Sequence, residues 1–297
     1  MSTVCVASHD AGGAEILACY VAENALNCRF VLKGPALKVF ERHLGKIESE
    51  PLARALAASD WCLFGTSWQS DLECRAIEEA KRAGKRVVSF IDHWVNYPER
   101  FERGGVRYLP DEIWVGDEEA LAIARKHFPK LPVKLVPNPY FAYVEREIAR
   151  YRFPRTGKRA LFVSENLSAH ARQRFGDERH WGYTELDAIE YFLTRARELG
   201  LDRVVLRPHP SDPAGKYDAL VAQHAPLAEP SAGKPLLEEI AEADVVAGCE
   251  TVALVTALQA KRRVFCAIPP GGKPQYIHQR RGVEMLRDLP EKRRASA

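Results

Sequence analysis

Residues 3–26 read TVCVASHDAGGAEILACYVAENAL, and the fold class turns on how that stretch is parsed. The first six residues are a short apolar run with β-branched members, the next five, HDAGG, form a glycine-containing turn, and the rest carries Ile16, Leu17, Tyr20 and Val21 at helical spacing. A strand that passes through a glycine turn into an amphipathic helix is the opening half of a parallel β-α-β unit. The same alternation continues in CRFVLKG (28–34), in DWCLFGTS (60–67) with SDLECRAIEEAKRAG (70–84) and KRVVSFIDHW (85–94), and in DEIWVGDEEALAIARKHF (111–128), where Asp117 is placed to cap a helix. VKLVPNPY (133–140) closes this half.

Around residues 141–159 the composition turns basic and the strand signal lapses, which suits a helix linking two domains. Alternation then starts again. RALFVSEN (159–166) and DRVVLRPHP (202–210) read as strands, and YTELDAIEYFLTRAREL (183–199) is a helix with Thr184 as its cap and Leu186, Ile189, Leu193 and Ala196 on one face. PLLEEIAEA (235–243) starts a helix on proline, DVVAG (244–248) is a strand, ETVALVTALQA (250–260) a helix, and RRVFCAIPPGG (262–272) a strand ending in a loop. The expectation is α/β: two Rossmann-like parallel-sheet domains facing a cleft, residues 1–145 and 158–297, with 146–157 as linker. Ligands bind such sheets at the carboxyl ends of their strands.

The chain has 297 residues, 46% of them hydrophobic, and its 43 basic and 40 acidic residues leave a net charge of +3. That balance argues against nucleic acid as a partner and makes any anion site local. Seven cysteines stand singly, without a C-x-x-C pair, and read as small core residues of a reducing cytosol. The amino terminus lacks a secretory pattern and no uncharged run is long enough to span a bilayer, so a cytoplasmic location is expected. The basic stretches 146–159 and EKRR (291–294) would suit either a solvated face or peripheral contact with anionic lipid.

The sequence holds no dinucleotide glycine fingerprint, no P-loop, no zincin helix, no hydrolase elbow and no Asp-x-Asp pair. No metal and no cofactor is expected. His170 and His180, in SAHARQRFGDERHWGY (168–183), match no common zinc spacing; that segment reads as a polar loop, either a lid or a solvated turn.

What carries chemistry lies in the second half. Arg207, Pro208, His209 and Pro210 end one strand, and GCET joins the next strand to a helix. A helix tip offers unpaired N–H groups, so Thr251 with that tip on one side and His209 with Arg207 on the other could hold a phosphate. The alternative is that His209 ends a strand and Thr251 caps a helix.

RPHPSD, followed some forty residues later by ADVVAGCETVALVTALQAKRRVFCAIPP, is similar to the His-Pro and Ser/Thr motifs of bacterial sialyltransferases, Kdo transferases and capsule polysaccharide enzymes. The second half resembles the nucleotide-sugar-binding domain of GT-B glycosyltransferases. The resemblance implies that His209 contacts the donor phosphate and assists departure of the nucleotide, and that Thr251 binds the same phosphate. Glu250 stands where the CMP-sugar families often carry a hydroxyl residue; a carboxylate suits ribose hydroxyls, as in many UDP-sugar enzymes, which leaves CMP, UDP and GDP open. Ser164, Glu165 and Asn166 would touch the nucleotide by position, or form a polar turn.

Inverting transfer also needs a base on an amino-domain loop. His9 and Asp10, with Gly12 and Gly13 allowing close approach of the backbone, form one such loop; Asp92 and His93, with Trp94 and Tyr97 after them, form another. Asp10 is the preferred base, its alternative being the cap of the first helix; Asp92 and His93 would orient the acceptor, and the two aromatics would stack on a sugar or wall the interface. The implied activity is metal-independent transfer of a sugar, sialic-acid-like or Kdo-like, from a nucleotide-sugar to a glycan or lipid-linked acceptor. The rivals are an epimerase or hydrolase of the same fold and a non-catalytic nucleotide-sugar-binding protein.

Overall fold

The computed structural model describes residues 2–67, 70–274 and 281–290. The chain divides into two compact units, Met1–Tyr143 and Val144–Ala297.

The first unit runs β1 (Thr3–Ser8), α1 (Ala11–Glu23), β2 (Asn27–Leu32), α2 (Ala36–Leu44), α3 (Leu52–Ala57), β3 (Trp61–Phe64), α4 (Leu72–Arg82), β4 (Arg86–Ile91), a small hairpin of β5 (Glu102–Arg103) and β6 (Val106–Arg107), β7 (Glu112–Val115), α5 (Glu118–His127) and β8 (Val133–Leu135). Helix α6 (Pro139–Arg150) crosses the boundary. Among the described residues the main sheet is ordered β2-β1-β3-β4-β7-β8, every pairing parallel. Alternation along β1 explains the layers. Val4 and Val6 enter a core with Leu17 and Phe40, whereas Cys5 and Ala7 enter another with Ile77 and Phe101. Successive side chains on a strand point to opposite faces, so a sheet covered on both sides needs an apolar residue at nearly every position.

The second unit runs β9 (Arg159–Val163), α7 (Leu167–Phe175), α8 (Glu185–Ala196), β10 (Arg203–Arg207), α9 (Asp218–Gln223), β11 (Ala228–Pro230), α10 (Leu236–Glu242), β12 (Val245–Gly248), α11 (Val252–Gln259), β13 (Arg263–Cys266) and β14 (Val283–Met285). Its sheet is also parallel, ordered β11-β10-β9-β12-β13-β14. Phe162, Tyr183, Phe192, Leu206 and Phe265 centre its core.

The strand orders locate the reversal point of each unit. Order reverses between β1 and β3 in the first sheet and between β9 and β12 in the second, and the loops leaving such neighbours part to form a crevice. The β1–α1 loop leaves one reversal, and the β9–α7 and β12–α11 loops leave the other.

Several expectations need correction. The supposed polar loop at 168–183 contains α7, whose inward face is only Leu167 and Ala171, with Gly176 in a left-handed conformation at its end. Two small buried contacts give too little periodicity to be seen. Leu186 is exposed, and the buried face of α8 is Ala188, Ile189, Phe192, Leu193 and Ala196. The linker is expected to be helical, and its residues 146–150 are in α6, from which a non-helical segment leads to β9. The expected caps at Asp117 and Thr184 are present, the latter as a full capping box with Asp187. The basic segment 291–294 lies outside the described residues. Among the described residues no helix is long and apolar enough to cross a membrane.

Candidate functional site

In the first unit, Asp10 occupies the position before α1 but its carboxylate caps nothing. It pairs instead with His9, whose Nδ1 lies 2.8 Å from Asp10 Oδ1. The His9 ring rests against Gly34, where a β-carbon would come 2.7 Å from Nε2 and where φ is +53°. Only glycine fits both demands.

Gly12 serves close approach, whereas at Gly13 a β-carbon would meet only ordinary contacts. A β-carbon on Gly12 would collide with Asp92 Oδ2, and one on Gly13 would lie 3.7 Å from the Gly65 backbone. Asp92 is held by Arg100, whose Nη1 donates to Asp92 Oδ1 at 2.7 Å and to Thr66 Oγ1 at 2.9 Å, while its Nε donates to Val95 O at 3.2 Å. The pair is buried, so the Asp92 carboxylate is half committed to structure. His93 Nδ1 accepts the Trp94 N–H, and the Trp94 indole N–H donates to Asp117 at 3.0 Å. Tyr97 is 1% exposed and stacks on His127 and Phe128, so it is core and is not available to stack on a sugar.

Glu73, not foreseen from sequence, joins this edge. Its Oε1 accepts the His9 N–H at 2.8 Å, Oε2 has no partner, and burial pushes its carboxyl up to about 7. A carboxyl buried with one open oxygen beside the His9–Asp10 pair can hold or release a proton near neutrality.

In the second unit, β9 lies between β10 and β12, so the loop carrying Ser164, Glu165 and Asn166 sits between those carrying His209 and Thr251. Hydrogen bonds tie them together. Asn166 Nδ2 donates to Ser211 Oγ at 2.9 Å, and Ser211 Oγ lies 2.7 Å from His209 Nδ1. On the other side, Glu165 Oε1 accepts the Glu250 N–H at 2.7 Å. Thr251 caps α11, its hydroxyl accepting from Ala253 N at 3.3 Å, which leaves the hydroxyl proton free to donate.

Two residues are not brought there. Arg207 turns to α10, where Nη1 donates to the buried Glu239 carboxylate and to Lys234 O; that buried acid outcompetes a solvent-facing anion site for the guanidinium. Glu250 is fully buried, so its carboxylate is not presented to ribose hydroxyls. Pro210 is exposed beside His209. Ser164 is buried with its hydroxyl 2.7 Å from Tyr217 OH.

Beneath the loop runs a network that sequence reading missed. Asp212 Oδ2 accepts from Tyr217 OH at 2.7 Å and from His209 N at 2.9 Å, and its Oδ1 accepts from Lys216 Nζ at 2.6 Å. Lys216 also pairs with Glu185, which accepts from Ser168 N and Oγ. Burial alone would raise the Asp212 carboxyl, but Lys216, Tyr217 and His209 N hold it below its ordinary value. The only sequence hint was the S-D-P turn. Among the described residues no group of three or more His, Cys, Asp or Glu side chains could hold a metal ion, and His180 stacks on Phe175 at 3.7 Å.

Fold and loops together define a two-unit α/β protein of the GT-B type, with a six-stranded parallel sheet in each unit. Solved structures share that fold. A protein assigned as a UDP-N-acetylglucosamine 2-epimerase from Listeria monocytogenes superposes with a TM-score of 0.61 at 13% identity, over 91% of this chain and 81% of the other. The Staphylococcus aureus MnaA–UDP structure gives 0.59 at 13% identity over 90% and 79%, and the glycotransferase of kitacinnamycin gives 0.55 at 13% over 89% and 80%. No family model and no curated protein matches the sequence.

Proposed function

We propose that this chain is a metal-independent glycosyltransferase that takes a nucleotide-sugar donor at the carboxyl edge of its second sheet and passes the sugar to a glycan or lipid-linked acceptor. The observation that carries the reading is that the 164–166 loop, at the strand-order reversal, is hydrogen-bonded on one side through Ser211 to the His209 ring and on the other to the Glu250 N–H just before the Thr251 helix tip. Backbone N–H groups at a helix start and a neutral imidazole suit a phosphate whose charge grows as the glycosidic bond breaks. On the first unit the His9–Asp10 pair supports acceptor deprotonation, with Asp10 as base, histidine as its partner and the partly protonated Glu73 alongside. An acidic sugar and a CMP-linked donor belong to this proposal, as do an inverting course and peripheral contact with anionic lipid through residues 146–159.

The epimerase reading has its own support, the likeness to the Listeria monocytogenes protein. Incubation with CMP-, UDP- and GDP-sugars, following thermal shift and nucleotide release, separates the two. Transfer requires an acceptor for turnover, and Asp10→Asn should abolish turnover while keeping the nucleotide shift. An altered sugar released without acceptor selects the epimerase; no shift from any nucleotide overturns both.

A further inference from the structure

The backbone that precedes α11 already holds an anion, and it belongs to the protein. Glu165 leaves the end of β9 and its Oε1 accepts the Glu250 N–H at 2.7 Å, at the turn into α11 that the proposed donor phosphate would use. We propose that Glu165 is a specificity-determining residue that occupies the phosphate nest as an internal anion, so that a donor phosphate binds only with uptake of a proton by this carboxyl. The inference rests on the reading that the second unit binds a nucleotide phosphate at this edge.

Its physical basis is like-charge exclusion. Two anions sharing one set of donors cannot both keep their charge, and the one with the accessible proton equilibrium yields. The titratable groups facing Glu165 are Glu250 and Cys249 on the β12–α11 loop, Tyr183 ahead of α8 and Cys266 at the end of β13, and none of these is a cation. Burial, with Glu250 adding to it, pushes the Glu165 carboxyl up to about 7, against the opposing pull of the Glu250 N–H. Glu165 is thus poised to change charge without a large cost. The protonated form gives up its claim on the Glu250 N–H and can donate its own hydrogen bond to a phosphate oxygen. A neutral or cationic ligand gains nothing from that exchange, so the nest selects for ligands whose charge repays the displacement.

The test is calorimetric titration of the full-length protein with UDP and with CMP, at about pH 8, in two buffers of different ionisation enthalpy. The wild type should take up about one proton per nucleotide, and its affinity should fall about tenfold per pH unit above the Glu165 value. Glu165→Gln keeps an acceptor oxygen for the loop but cannot ionise. It should bind more tightly at about pH 8, without proton uptake and with a flat profile; its melting transition reports whether it folds, and the wild-type proton count needs no variant. Any uptake by His209 survives in Glu165→Gln, so persistence of the proton in that variant overturns the inference. Binding by the wild type without proton uptake also overturns it, while leaving the nucleotide reading intact. Failure of UDP and CMP to bind wild type and variant alike removes the reading itself and the inference with it.

Discussion

A backbone hydrogen bond fixes the tautomer of His209. Ser211 N–H donates to His209 Nδ1 at 3.2 Å, so Nδ1 is the acceptor and the ring proton sits on Nε2. Burial, partly opposed by Asp212, lowers the imidazole below its ordinary value, so the ring is neutral at pH 7 and presents one N–H to a ligand. Nitrogen-15 NMR at neutral pH should find Nδ1 unprotonated, and His209→Ala should weaken nucleotide binding by about 1.5–3 kcal/mol, the worth of a hydrogen bond to a charged group. The loop that aims this ring depends on Asp212. Removing that carboxylate leaves Lys216 with Glu185 only and Tyr217 with Ser164 only and frees the His209 N–H, so Asp212→Ala should cost about 3–5 kcal/mol in urea unfolding. The sign of its pH effect follows from a carboxyl held low in the folded state. Its contribution is complete above the ordinary carboxylate value and is lost as pH falls through the folded one, so the variant should lose less stability than wild type below about pH 4.

At the scale of elements, the approach of α1 to the end of β4 is set by an absent side chain. Gly12 lets Asp92 lie against the first turn of α1 while Arg100 holds the other carboxylate oxygen. Gly12→Ala should therefore destabilise by about 1–3 kcal/mol, because a carboxylate anchored by a buried guanidinium cannot step aside freely. Combined with Asp92→Ala the penalty should be less than additive, since the obstruction is then gone; urea midpoints of the four species measure the difference. The same elements show what the sequence made legible. The helix of Ile16, Leu17 and Val21 could be read because its apolar spacing is local, as could the punctuation of β10 by Pro208, His209 and Pro210. Glu73 could not, because its partner His9 lies 64 residues away, nor could the reach of Arg100 to Thr66, 34 residues back, beside its local pairing with Asp92. Arg207 misled for the same reason: its neighbour in sequence is His209, but its partner in space is Glu239 on α10.

For the whole molecule, alternation announced two parallel sheets but could not say that the first is ordered β2-β1-β3-β4-β7-β8 and the second β11-β10-β9-β12-β13-β14, because strand order is decided by non-local pairing. The short strands β11 and β14, three residues each, end the second sheet and carry almost no local signal. Each sheet nevertheless closes its own hydrophobic core from residues of its own unit. A unit that buries its own apolar side chains can hold its fold without the other. All the side chains proposed to meet the donor phosphate lie after residue 160, and the segment after α6 is bound into the second unit, Arg155 donating to Ala243 O at 2.7 Å and Lys158 N to Asp244 at 3.1 Å. A chain comprising residues 152–297 should therefore fold and keep the nucleotide affinity of the full-length protein to within about threefold, roughly 0.7 kcal/mol on the binding scale. Residues 1–151 should fold without binding nucleotide. Circular dichroism melts and titration with UDP and CMP measure both, and a folded 152–297 that binds neither, beside a full-length protein that does, would assign donor recognition to residues of the first unit.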